Sequence, residues 1–87
     1  MTAHATETGG KPDNLIKMAN QIGSFFDTMA DRQQAQTDIA KHLRQFWAPR
    51  MRHALMAYFD QHGGAEFMAI VSDTLHSRRA AIIEANV

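Results

Sequence analysis

Five histidines, nine carboxylates and a few serines are the groups in this 87-residue chain able to do chemistry, and they would have to converge on one point to do it. Beyond His4, the histidines are His42, His53, His62 and His76, at spacings of eleven, nine and fourteen. No two stand four apart on a helix, and there is no HExxH, the arrangements that bring imidazoles onto one metal. Cysteine is absent. With it go a thiolate metal site, a cysteine nucleophile and a disulfide framework. Asp27 and Asp31 are close in sequence, but they fall in a predicted turn and a predicted helix cap, where a carboxylate serves the backbone. Ser24, Ser72 and Ser77 have no evident base and orienter, and no glycine-rich loop follows a strand. The expectations are no catalytic residue, no metal and no cofactor held by this chain.

The other chemistry is binding. The stretch His42-Leu43-Arg44-Gln45-Phe46-Trp47-Ala48-Pro49-Arg50-Met51-Arg52 holds the only tryptophan, one of two prolines and three arginines. Trp and Arg dominate protein interfaces because both bury large area and still donate hydrogen bonds. Lys41, Arg44, Arg50, Arg52 and Arg78-Arg79 could equally contact phosphates, with Trp47 as a stacking ring. Acids and bases are nine each, for a formal net charge of zero, whereas nucleic-acid domains carry a positive balance. Neither a nucleic acid nor a membrane is the expected partner. The first thirty residues lack the apolar run of a signal peptide, and no stretch nears the ~20 apolar residues of a membrane span. A soluble, cytoplasmic protein is expected.

Helices must position these residues, since no segment alternates with period two. Residues 1–12, ending Gly-Gly-Lys-Pro, read as a flexible tail ahead of a helical domain over 13–87. A first helix is predicted from a cap at Asp13 or Asn14 to about Thr28, with Leu15, Met18, Ala19, Ile22, Phe25, Phe26 and Met29 on its inner face and Ile16 off it. Its Gly23 costs helix stability unless another helix approaches closely there. Asp31 with Gln34 reads as a capping box for a second helix, about Arg32 to Trp47, with Ala35, Ile39, Leu43 and Phe46 as its stripe and Ala40 and Trp47 on the shoulder. A third runs from Pro49 to a stop at Gly63-Gly64, with Met51, Ala54, Leu55, Tyr58, Phe59 and His62 inward and Met56 pointing elsewhere. The last, about Ala65 to Glu84, turns Phe67, Ile70, Val71, Leu75, Ala81 and Ile82 inward. The predicted fold is all-α: a bundle of about four helices, with the second and third either separate or one helix kinked at Pro49.

Two of these segments also carry a resemblance. Met18-Ala19-Asn20-Gln21-Ile22-Gly23-Ser24-Phe25-Phe26, followed by Ile39 to Arg52 with its Phe46-Trp47-Ala48-Pro49-Arg50-Met51-Arg52, resembles the delta subunit of soluble NAD-dependent formate dehydrogenases over about residues 14–64. The resemblance implies a non-catalytic accessory subunit of a molybdenum- or tungsten-dependent enzyme that oxidises formate to carbon dioxide and reduces NAD. It assigns a bis-molybdopterin guanine dinucleotide (bis-MGD) centre and iron–sulfur clusters to an alpha subunit, FMN and the NAD site to a beta subunit, and a further cluster to a gamma subunit. The alpha subunit is the expected partner. The interface is expected at Trp47, Pro49, Arg50, Met51 and Arg52, with Asn20 and Gln21 near its rim. Met51 would anchor the turn inward while Arg50 and Arg52 on its flanks reach acids or carbonyls of the partner. Trp47 as plain core, with the arginines as a solvated edge, is the alternative. A transient molybdenum-cofactor maturation factor and a small nucleic-acid-binding regulator are the competing functions.

Overall fold

A computed structural model describes residues 12–83. The expected tail lies outside the described residues except for Pro12, as does Glu84. Among the described residues five helices follow one another: α1 (Asp13–Phe26), α2 (Arg32–Phe46), α3 (Pro49–His62), α4 (Ala69–Ser77) and α5 (Arg79–Ile83). No strand occurs among the described residues, so the all-α expectation holds.

The helix ends follow from side chains. Pro12 is the N-cap of α1 and offers no side-chain bond, so Asp13 and Asn14 lie inside the helix rather than capping it. Asp13 stands in the first turn, where a carboxylate meets the positive end of the helix dipole. The helix ends at Phe26, short of Thr28, as Asp27 N–H closes on the Gly23 carbonyl at 2.8 Å. Asp31 caps α2 by accepting from Gln34 N–H at 3.1 Å. Gln34 completes only half of the capping box, because its side chain donates forward to Asp38 at 2.9 Å. Trp47 and Ala48 are both extended, with ψ of 139° and 149°, so α2 and α3 are separate helices meeting at a corner. Pro49 enforces this by disfavouring helical backbone in the residue before it and then starting α3 at its first position. Gly63, at φ 81°, ends α3 in a conformation that side chains rarely adopt.

The long last helix predicted over Ala65 to Glu84 is instead a turn, α4 and α5. Phe67 N–H bonds the Gly64 carbonyl at 3.0 Å in the turn, and the helix breaks at Arg78, with φ −114° and ψ 26°. Thr74 and Ser77 donate their hydroxyls back to the carbonyls of Ile70 and Asp73 at 2.7 and 2.8 Å. Such back-bonding competes with the helix ladder and bends it.

Helix α2 is central, packing against each of the other four. The core gathers Ile16 and Ala19 of α1, Ala35, Ile39, Ala40 and Leu43 of α2, and Leu55 and Met56 of α3. Trp47, Phe67, Ile70, Val71, Leu75 and Ile82 complete it. Two side chains expected to point away are therefore buried, Ile16 and Met56, and two expected inside are open, Phe25 at 72% and Phe46 at 71% exposure. Ala54, His62 and Ala81 are likewise exposed. On α1 the cause is an apolar arc wider than one contact. Ile16, Ala19 and Gly23 form one stripe against the core, and Met18, Ile22 and Phe25 form a second beside it. A Cβ on Gly23 would run into Val71 Cγ2, with Ile70 Cγ2 and Met68 Sδ at 3.5 Å, so the glycine does permit α1 and α4 to approach closely.

Candidate partner interface

At the corner, Trp47 is 5% exposed and closes α2, its N–H on the Leu43 carbonyl at 3.0 Å. Its own carbonyl would be left without a helical partner. Arg52 supplies one: Nε donates to the Trp47 carbonyl at 3.2 Å, and Nη1 donates to the Ile82 carbonyl of α5 at 2.6 Å. Arg52 is 7% exposed. The expectation that it reaches outward is thus corrected, since its guanidinium is spent within the chain. Its burial also rotates α3, which packs through Arg52, Leu55 and Met56.

The same holds for most of the arginines. Arg44 Nη1 donates to the Ala81 carbonyl at 3.0 Å, so two arginines hold the end of α5. Arg32 bridges Asp27 at 3.5 Å and Asp73 at 3.1 Å. Arg78 donates to the Gln33 side chain at 2.9 Å, and Arg79 pairs with both carboxylate oxygens of Asp60. The Arg79 hydrogen bonds hold the Asp60 carboxyl below its ordinary 3.8, and Asp60 in turn raises Arg79. Of six arginines, only Arg50 is exposed with no hydrogen bond or ion pair among the described residues.

Asn20, expected at the rim of the interface, is also an internal clamp. Its amide donates to the Glu66 carbonyl at 3.0 Å and its oxygen accepts from Met68 N–H at 2.8 Å, which fixes the turn before α4. Met51 is half-buried and packs against the core, inward as expected, while Pro49 and Gln21 are exposed.

Beside the corner lies a groove of about 380 Å³ between α1 and α2. Met18, Ile22, Phe25 and Phe26 form its apolar wall, with Gln21, His42 and Trp47 around them. The rings make a continuous band: Phe25 against Phe26 at 5.0 Å, Phe26 against His42 at 6.4 Å, and His42 against Phe46 at 4.8 Å between centroids. The two large exposed apolar side chains among the described residues, Phe25 and Phe46, therefore stand at the two ends of one aromatic surface. Sequence reasoning found Gln21 and Trp47 but missed Phe25, Phe46 and His42. The available signal was the second apolar stripe on α1, which exceeds what one core face requires.

No three His, Asp or Glu side chains gather to hold a metal among the described residues, and no described helix is long and apolar enough to cross a membrane. Fold and surface define a class, a small all-helical domain whose distinctive feature is an aromatic groove beside a rigid corner. A family model described as FdsD, the NADH-dependent formate dehydrogenase delta subunit, matches residues 14–75, and the chain belongs to that family. The match extends beyond the first three helices into α4. No curated protein and no solved structure matches the chain.

Proposed function

We propose that the chain is a non-catalytic subunit that docks on the large alpha subunit of formate dehydrogenase, in a complex with beta and gamma subunits, and supports assembly and stability of that complex. On this reading formate oxidation and NAD reduction take place on the other subunits, which carry bis-MGD, iron–sulfur clusters and FMN. This chain contributes surface. The observation that carries the reading is the aromatic band from Phe25 to Phe46, left open in a domain belonging to the delta-subunit family. Exposed aromatics gathered in one patch mark binding sites, whereas single ones need no explanation. Interface residues proposed for the docked state are Gln21, Phe25, Phe46, Pro49 and Arg50, with Trp47, Met51 and Arg52 holding the corner from within.

Purification of the active enzyme through a tag on the alpha subunit tests this. The chain is expected to remain at one copy per alpha subunit through size exclusion. Its absence from fully active enzyme would favour the maturation-factor reading, in which it delivers or protects the molybdenum cofactor and leaves. Retention on DNA with a steep salt dependence would favour a nucleic-acid regulator instead.

A further inference from the structure

We infer that the groove receives an apolar segment of another formate dehydrogenase subunit that carries an acidic residue beside its apolar anchor, with Arg50 as the counter-charge. This rests on the docked-subunit reading and adds the chemistry of the occupant. The groove wall is Met18, Ile22, Phe25 and Phe26, and the polar-bearing residues of its lining are Gln21, His42 and Trp47. No carboxylate among the described residues lines it. An apolar anchor fills it without stranding a charge.

Charge then sets the orientation. Arg50 follows Trp47 by three residues, so its Cα lies within about 11 Å of that of Trp47, which lines the groove. Among the described residues it is the one arginine without a hydrogen bond or ion pair. An acid on the partner is attracted at the Trp47 end. The segment therefore lies with its acid toward the corner.

The test uses the assembled complex, with Phe46 replaced by a benzophenone-bearing phenylalanine and the photo-cross-link mapped by mass spectrometry. The cross-link is expected on an apolar run of another subunit with Asp or Glu within about one helical turn. Arg50→Glu should weaken assembly at least about tenfold and Arg50→Lys by less than about threefold, with circular dichroism unchanged because Arg50 is exposed. Replacing the mapped acid by lysine should restore binding of the Arg50→Glu chain. A cross-link to a second copy of this chain, a run without an acid, or unchanged assembly of Arg50→Glu would overturn the inference while leaving the docked-subunit reading intact. Failure of the unsubstituted chain to co-purify would overturn both.

Discussion

The buried Arg52 guanidinium serves two carbonyls, those of Trp47 at 3.2 Å and Ile82 at 2.6 Å, so removing it strands two acceptors at once. Arg52→Ala should cost about 2–4 kcal/mol in urea unfolding, since bonds from charged donors are worth ~1.5–3 kcal/mol and buried unsatisfied groups are penalised. Arg52→Lys should recover little, because a point ammonium does not reproduce the planar fork. Hydropathy had no access to this role. An arginine at an inward position reads as solvent-facing unless its acceptors are known, and one of them comes from thirty residues away in sequence. The Asp60–Arg79 pair acts at the same scale on the other side of α5. A carboxyl whose folded pKa is lowered stabilises the fold above its unfolded pKa and stops doing so as the pH falls through the folded value. Arg79 lowers that of Asp60 from 3.8. The difference in urea midpoint between Asp60→Asn and the unsubstituted chain should be largest near neutral pH and vanish as the pH drops below 3.8 through the folded value. High salt should shrink it, because both groups are exposed.

Among the elements, α1 and α4 meet where Gly23 faces Val71. Gly23→Ala gains about 1 kcal/mol of helix propensity. The new Cβ meets a stiff β-branched side chain that is 1% exposed, and overpacking of this kind costs ~1–3 kcal/mol. The variant should therefore melt at or below the temperature of the unsubstituted chain, against the usual trend for glycine in helices. Helix α5 depends on Ile82, which is fully buried, and Ile82→Ala should cost about 2–5 kcal/mol. Urea unfolding measures it. The start of α2 at Asp31, the start of α3 at Pro49 and the stop at Gly63 were legible because each rests on one local side-chain or backbone preference. The division of the last helix was not. It depends on Thr74 and Ser77 turning their hydroxyls back on the ladder, a choice a helical pattern does not record. The inner face of α1 was ambiguous for another reason: two apolar stripes lie side by side, and only the neighbouring helices decide which of them is covered.

At the scale of the molecule, core and docking surface are separable. Phe25 and Phe46 are more than two-thirds exposed, so Phe25→Ser with Phe46→Ser should leave the stability of the isolated chain within ~0.5 kcal/mol. The same pair should weaken assembly by several hundredfold if the two rings act as interface anchors, each typically worth ~2 kcal/mol or about thirtyfold. A parallel loss of stability and assembly would instead mark the rings as part of the fold. The resemblance carried by α1 and the corner foretold the family, yet its most specific residues, Trp47 and Arg52, are internal. Their identity is set by the corner they hold, and the surface they hold in place is the neighbouring groove. The most direct measurement of the central claim is native mass spectrometry of active formate dehydrogenase purified through its alpha subunit. One copy of this chain per alpha subunit, lost selectively when Phe25 and Phe46 are both serine, is the predicted result. Full activity in a complex that contains none of it, or undiminished occupancy by the double variant, would contradict the account.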